Sequence, residues 1–437
     1  MLLPVDMVYR LQRSLASRSA ARPVSAQDSP APLALSPENR LAINLSFSKN
    51  WSHKTLVLWL LVCFGVATIW VEGRWAVSVL EAGVFAMAAI TLLRRSPVRA
   101  HWTMFVPLAI AAWGLIQIAL HRTIATADTQ WTLLYWLAAA CFLGLGATVE
   151  DHERLLDGML WFGAALSILA LAQMNTSHGR ILWIVPTQYQ DQVFGTFPYY
   201  NNYAAFIELL LPLAFWRTLR GGRQWWVYAG VVTLMYGSVV ASGSRAGIAL
   251  ATAELAVLLF VALWCGAKLR MLAILAGVIL FAVVAGSQSV WQRFGAPDSY
   301  GMRRAFHESA LAMARARPVT GFGLGTWTSA YPTYAVADFG VVANHAHSEW
   351  GQWAAEGGWG VVALMLVLFG LAVRYSARNT WAIGLVAVLL HALIDYPMVR
   401  LGLGCWWFTL FGLCAGLGLR ASRRPQAERA FARGTQS

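Results

Sequence analysis

The sequence predicts an all-α, polytopic membrane protein with about twelve transmembrane helices. The chain is 58% hydrophobic and only 12% charged, whereas soluble domains carry about 25% charged residues. Apolar runs of about 20 residues recur along it, which is the length that crosses a hydrocarbon core of about 30 Å. The 22 tryptophans fit the same class, because indole rings favour the membrane interface.

Twelve apolar segments are long enough to be predicted as spans. They lie near residues 55–72, 75–94, 102–120, 130–149, 156–174, 200–218, 225–242, 246–265, 269–287, 350–373, 380–397 and 403–419. The sixth and the tenth fit the pattern least well. The sixth begins in Tyr200–Asn202, and the tenth contains Glu356 and several glycines.

The distribution of basic residues predicts the orientation. With the N-terminus in the cytoplasm, 23 of the 33 Lys and Arg residues fall in cytoplasmic segments, as the positive-inside rule requires. Both termini are then cytoplasmic. Residues 1–54 form a largely disordered tail without the apolar core of a signal peptide, 55–190 form the N-terminal transmembrane helices, and 420–437 form a basic tail.

Composition also excludes several classes. The net charge of +13 is spread over short segments between apolar runs, so it indicates orientation and not a nucleic-acid surface. The five cysteines lie in or at the ends of apolar stretches without a C-x-x-C pair, which is typical of packing residues. The sequence has no P-loop, zinc motif or internal repeat, which argues against an ATP-driven pump.

Two predicted external segments are long, 175–199 and 288–348. The second contains a predicted helix at Met302–Arg317, with apolar residues at helical spacing, that stops at Pro318. Ten arginines fall in predicted external segments, and five of them lie in this second segment. A structured basic loop above a membrane bundle indicates an anionic ligand at the outer face.

Arginines supply the first candidate site residues. Arg245 lies in ASGSRAG at the predicted start of a helix, where free N–H groups and the arginine together would attract phosphate. The alternative is an interfacial arginine that reaches the headgroups. Arg303 and Arg304 begin the loop helix. They are either anion ligands or a solvated pair on an amphipathic helix.

Histidines and acids supply the second set. His345 and His347 precede the tenth span and suit general-base work, metal binding or a plain interfacial position; no third ligand at a recognisable spacing supports a metal. His391 and Asp395 are four residues apart on one predicted helix face before Pro397. As ionisable residues inside a membrane they are functional candidates, but we favour the alternative, a structural hydrogen-bonded pair. Three further acids lie within spans, and no spacing singles one out: Glu81, Glu208 and Glu254.

Five ordered segments resemble the O-antigen ligase and polymerase family of bacterial membrane glycosyltransferases. They are GTFPYYNNYAAFIELLLPL at 195–213, SGSRAG at 242–247, Arg303–Gly325 ending in PVTGFGLG, His347–Gly357 and HALIDYP at 391–397. The resemblance assigns 191–419, including loop 288–348, to a ligase-like region. Two departures occur. Tyr200 replaces a frequent Asn while Asn202 is kept, and His307 replaces an aromatic residue, so Arg303 and Arg304 both stay candidates for the matching arginine.

The resemblance implies a GT-C-like enzyme in the bacterial inner membrane with its active site on the periplasmic face. Family members transfer a glycan from an undecaprenyl-diphosphate carrier without nucleotide, metal or other cofactor. The acceptor is lipid A–core in ligases, a glycan in polymerases and a protein hydroxyl in the related protein O-oligosaccharyltransferases. Membrane lipid is the expected surrounding, and no nucleic acid is expected.

Residue roles follow from the resemblance. Arg245 and either Arg303 or Arg304 would bind the diphosphate, and His347 would be the general base of an inverting transfer. Glu356 would orient His347 or hold the start of the tenth span. Three residues would support the site: Asn202, His391 and Asp395. The sequence leaves two rivals, a flippase or transporter of lipid-linked glycans and a protein-binding scaffold.

Overall fold

The computed structural model describes residues 51–94, 101–187, 192–220, 222–264, 266–284, 300–340 and 342–434. Most of the predicted N-terminal tail lies outside them. The described residues hold fifteen α-helices and no β-sheet. The helices are α1 His53–Ala67, α2 Arg74–Leu93, α3 Phe105–Ala119, α4 Thr126–Thr148, α5 His152–Thr176, α6 Tyr200–Arg220, α7 Trp225–Ser242, α8 Arg245–Trp264, α9 Lys268–Val284, α10 Tyr300–Ala316, α11 Trp327–Tyr334, α12 Glu349–Gly357, α13 Trp359–Ser376, α14 Ile383–His391 and α15 Leu401–Gly434.

Eight helical segments in the described part are long and apolar enough to cross a membrane. They are α2, α4, α5, α8 and α13, the first turns of α15 to Gly418, and α3 and α7 together with the 3₁₀ turns that precede them. The all-α polytopic class is therefore confirmed, while twelve spans stays a prediction. The four described cysteines are free thiols; Cys265 lies outside the described residues.

Helices α4 and α15 approach closely along a stripe of small residues. Gly146 faces the backbone carbonyl of Thr409, and Gly412 and Gly416 face those of Leu143 and Ala147. A side chain at any of these glycines would meet backbone atoms of the opposite helix. Close backbone approach replaces hydrophobic driving force where lipid surrounds a bundle, so this contact fixes the scaffold around the N-terminal helices.

Helix α6 lies at the centre of the bundle. Nearly every residue from Asn201 to Leu219 is buried, including the polar residues Asn201, Asn202 and Glu208. It packs against α7, α8 and α14, and Gly384 of α14 reaches the backbone of Leu209. The first turn of α6 therefore has a fixed position, from which Asn201 faces the external loop.

The segment from α10 to α12 forms a small core of its own. The predicted helix at Met302–Arg317 is confirmed as α10, Tyr300–Ala316. Its apolar face packs with residues of α11 and α12. The buried members of this core are Phe306, Ala310, Met313, Phe322, Trp327, Ala330, Tyr331, Ala343, Ala346 and Ala355.

Two predicted span boundaries are wrong. The tenth span does not run from 350; α12 ends at Gly357, and α13 begins at Trp359. Gly358 separates them with a φ of +74°, a conformation that favours glycine, and its Cα faces the carbonyl of Val319. The eleventh span does not reach 397, because α14 ends at His391. Turns before Pro397 are expected, since a residue that precedes proline avoids helical geometry.

Candidate functional site

Asp395 lies at the centre of a polar cluster where the chain leaves α14. Its side chain is fully buried. Oδ2 accepts hydrogen bonds from the Tyr199 hydroxyl at 3.3 Å and from the Asn201 amide, and it lies 3.4 Å from Nη2 of Arg303. Oδ1 accepts from the Tyr396 backbone N–H at 2.9 Å. These donors fit an ionised carboxylate. Asp395, Arg303, Tyr199, Asn201 and His347 are called the Asp395 cluster below.

Arg303 is the cation of the cluster. It extends from the first turn of α10, and its Nη2 also donates to the Tyr199 hydroxyl at 2.8 Å. Burial lowers the pKa of Arg303, but Tyr199 and Asp395 outweigh burial and the pKa is raised, so the charge persists. Arg304 points away: its side chain is 83% exposed and pairs with Glu308 at 2.9 Å. The structure therefore brings Arg303, and not Arg304, to Asp395.

His347 completes the cluster with an unusual backbone. Its φ is +51°, which is uncommon for a residue other than glycine and is typical of functional sites. The ring stacks on Phe306 at a centroid distance of 5.8 Å and meets the edge of Tyr396 at 5.0 Å. Nε2 of His307 donates to the His347 carbonyl at 2.8 Å. Aromatic packing and this hydrogen bond together fix the ring.

The His347 imidazole is held in its neutral form beside a carboxylate. Burial is the main cause that lowers its pKa, Asp395 opposes burial, and Arg303 and His307 add to it, so that the pKa is about 4. The ring is therefore neutral at neutral pH. Its Nδ1 lies 3.8 Å from Oδ1 of Asp395 and makes no hydrogen bond with the described residues. A neutral imidazole beside a carboxylate is the arrangement of a general base.

A cavity of about 770 Å³ opens beside the cluster. Two cations and several aromatic rings line it, which suits an anionic group attached to a sugar. The polar lining includes Tyr199, Tyr200, Arg303, His345, His347 and Arg400. Ligand sites in proteins typically measure about 300–1,000 Å³, so this cavity accommodates a diphosphate and an adjoining sugar.

Arg245 lies outside the cluster. It is the first residue of α8, where the Ser244 hydroxyl accepts from the Gly247 N–H at 3.1 Å. Gly247 packs directly on Ala204, so the starts of α8 and α6 lie at the same end of the bundle. Arg245 lines neither this cavity of about 770 Å³ nor a smaller cavity that adjoins it.

Glu356 holds a glycine-rich turn and does not contact His347. Its Oε2 accepts from the Gly325 N–H at 2.8 Å, and its Oε1 accepts from the Trp327 N–H at 3.0 Å and from Gln352 at 2.9 Å. Burial raises the pKa of Glu356 to about 7, although these three donors lower it. The side chain therefore binds the turn before α11, and its two expected roles, orienting His347 or holding the start of the tenth span, stay predictions.

The predicted His391–Asp395 pair does not form. Because α14 ends at His391, the two side chains do not share a helix face. The His391 Nδ1 instead bonds Glu208 at 2.9 Å, with both side chains fully buried. Asn202 is also buried, and neither atom of its amide has a hydrogen-bond partner among the described residues. Its neighbour Asn201 is the residue that reaches Asp395.

Sequence reasoning missed Tyr199, Asn201, Tyr396 and Arg400. The run Tyr199–Asn202 offers adjacent polar side chains, and only the rotation of α6 decides which one faces the loop. Tyr396 and Arg400 follow Asp395 in the same turn and line the larger cavity. Within the described residues, no group of three or more His, Cys, Asp or Glu is arranged to hold a metal ion.

Fold and cluster together define a multi-pass membrane protein with a polar, cation-lined site beneath a folded loop. Residues 229–367 match the family model described as O-antigen ligase. This match bears out the resemblance to the O-antigen ligase and polymerase family over that part of the chain, which is less than half of it. The matched segment includes Arg245, Arg303 and His347. A search of curated proteins gives no match.

Proposed function

We propose that the protein is a membrane glycosyltransferase that moves a glycan from an undecaprenyl-diphosphate carrier to an acceptor hydroxyl at the periplasmic face of the bacterial inner membrane. One observation carries the proposal: the Arg303 cation and the neutral His347 ring line the same cavity of about 770 Å³. The family match over 229–367 supports the same reaction class.

The two side chains would divide the reaction between them. The acceptor oxygen attacks the anomeric carbon, and the bond from that carbon to the diphosphate oxygen breaks with its electron pair passing to the diphosphate. Arg303 stabilises the charge of the leaving diphosphate. Arg245, at the positive end of α8, supplies a second cation from the same side of the bundle. Attack opposite the leaving group inverts the anomeric centre.

His347 would take the proton of the acceptor hydroxyl. Asp395 then acts through its neighbours, because its charge holds Arg303 and faces the imidazolium that forms on His347. The wider arrangement in this proposal has about twelve spans in a GT-C-like bundle, a ligase-like region at 191–419 and both termini in the cytoplasm. Neither nucleotide nor metal takes part.

The test is a transfer assay with purified full-length protein. A carrier-linked glycan is offered with lipid A–core, a second carrier-linked glycan or a Ser/Thr peptide, in EDTA and without nucleotide, and products are read by mass spectrometry. We expect transfer to one acceptor, which identifies a ligase, a polymerase or a protein O-glycosyltransferase. The His347→Ala variant should be slower by about 10²–10⁴-fold, the usual contribution of a general base.

A matched arginine pair controls the assay. Arg303→Ala should reduce transfer by about 10²–10³-fold, whereas Arg304→Ala should leave it unchanged, because Arg304 contacts only Glu308. Arg245→Ala should lower the rate as well. Full activity in both Arg303→Ala and His347→Ala would refute the assignment. Carrier binding without transfer to any acceptor would favour a flippase or transporter.

A further inference from the structure

A second cavity, of about 420 Å³, adjoins the first. The two cavities share a wall of five residues: Val71, Glu72, Asn344, His345 and Arg400. From this wall the smaller cavity runs beside α12 towards the turn at Leu324–Gly325. His347 lines only the larger cavity, so the two spaces offer a ligand different chemistry.

Glu349 is the distinctive group of the smaller cavity. It lies in the first turn of α12 and is 1% exposed; the backbone amides of Met398 and Val399 face its carboxyl group, but neither carboxyl oxygen makes a hydrogen bond of normal distance and angle with the described residues. Nδ1 of His345 also lacks a partner there. A buried polar group without a partner is unfavourable by about 1–3 kcal/mol. Two such groups lining one cavity indicate that a ligand supplies the missing hydrogen bonds.

The form of Glu349 indicates what kind of ligand it meets. Burial raises the pKa of Glu349 well above its usual value, against the lowering effect of the Val399 and Met398 amides. Burial therefore favours the protonated form of this carboxyl. A carboxylic acid both donates and accepts hydrogen bonds, as a sugar hydroxyl requires and a phosphate oxygen does not.

The arginines of the smaller cavity are already engaged. Nη2 of Arg74 contacts both oxygens of Glu81 at 2.9 and 2.8 Å, and its guanidinium lies 4.3 Å from the Trp131 ring centroid. Nη1 of Arg400 donates to the Ile69 carbonyl at 3.0 Å. Arg303 lines only the larger cavity, whereas the acidic side chain of Glu349 lines only the smaller one. The smaller cavity therefore disfavours an anion and suits a neutral ligand.

Aromatic rings provide the remaining surface. Trp131, Tyr135, Trp327 and Trp353 line the smaller cavity. The Tyr135 hydroxyl donates to the Met398 carbonyl at 2.5 Å, and the Trp327 indole donates to the Ala343 carbonyl at 3.0 Å. Because those polar atoms are satisfied, the rings offer mainly their apolar faces. Aromatic faces beside a carboxyl and an imidazole fit a sugar ring.

We propose that the smaller cavity binds a neutral sugar unit of the acceptor through Glu349 and His345. The acceptor then crosses the shared wall, and its attacking hydroxyl reaches His347. Tyr396 marks this crossing, since its ring lies 4.3 Å from the His345 ring and 5.0 Å from the His347 ring. The acceptor role rests on the proposed glycan transfer, whereas saccharide binding in this cavity is testable without it.

The experiment measures binding to full-length protein in detergent. A set of neutral mono- and disaccharides is screened by saturation-transfer NMR, and inorganic pyrophosphate is titrated by calorimetry. We expect at least one saccharide to bind the wild type, and Glu349→Ala to weaken that binding about tenfold or more while pyrophosphate binding is kept. Arg303→Ala should give the reverse result. Glu349→Gln should retain part of the saccharide affinity, because an amide still donates and accepts.

A second variant covers the outcome in which Glu349→Ala does not fold. Thr328 is exposed at the edge of the smaller cavity, so Thr328→Trp should fill the opening and abolish saccharide binding only. Absence of saccharide binding to wild type, or unchanged binding in Glu349→Ala and Thr328→Trp, would overturn the inference. Saccharide binding without glycan transfer would instead refute the proposed function alone.

Discussion

His391 and Asp395 lie four residues apart, yet they belong to two different polar environments. Asp395 is reached by donors from α6, α10 and the turn after α14, and its partner Arg303 lines the larger cavity. His391 bonds only Glu208 of α6 through its side chain among the described residues, and both are fully buried within the bundle. A ligand in the cavity reaches the first environment and not the second.

This difference separates residues that act in the reaction from residues that stabilise the fold. A carboxylate at the edge of a cavity holds a cation where substrate charge develops, which is the arrangement that lowers a barrier. A sealed acid–histidine pair meets no substrate and acts on folding alone. Glu254 lies in the same interior, with neither oxygen bonded to a described residue. The interior acids should therefore affect stability, and Asp395 should affect rate.

The largest expected effect is on the sealed pair. Glu208→Ala leaves His391 buried without its partner, and breaking a buried charged pair typically costs about 3–5 kcal/mol. The free energy of unfolding in detergent should fall by that amount, while transfer per folded molecule stays at the wild-type rate. Glu208→Gln keeps an acceptor oxygen for His391 and should be milder. Unchanged stability with lost transfer would instead place this pair in the chemistry.

A somewhat smaller effect, on the rate of glycan transfer, is expected when Asp395 is replaced. Asp395→Asn keeps the size of the side chain and removes the charge beside Arg303 and His347. Transfer should fall by about 10²–10³-fold, equivalent to about 2.7–4 kcal/mol. Stability should change less than in Glu208→Ala. Asp338→Asn, in the segment between α11 and α12, is the matched control and should be silent, because Asp338 is exposed and its Oδ1 accepts from the Gly340 N–H.

The same comparison shows how far sequence reasoning reaches. Hydrophobic length predicted the helices, and apolar spacing predicted α10, because both signals are local. The partners of the polar residues are not local: Glu208 and His391 are 183 residues apart, and Asn201 and Asp395 are 194 apart. Arg303 and Arg304 are adjacent, so only the docking of α10 decides which one meets Asp395. The break at Gly358 depends likewise on the close approach of Val319.

The smallest expected effect is a displacement along the pH axis. Neutral His347 is the proposed base, and its pKa is lowered to about 4, first by burial. The kcat/KM for transfer should therefore stay level as pH falls from 7 and decline only as pH falls through about 4. Because Asp395 raises the pKa of His347, Asp395→Asn should move the decline to lower pH. Tryptophan fluorescence at each pH checks that the protein stays folded. A decline near pH 6.5 in folded wild type would mean that the imidazole acting as the base is solvated. Burial would then no longer explain why the Asp395 cluster acts in the reaction while the Glu208–His391 pair acts on stability.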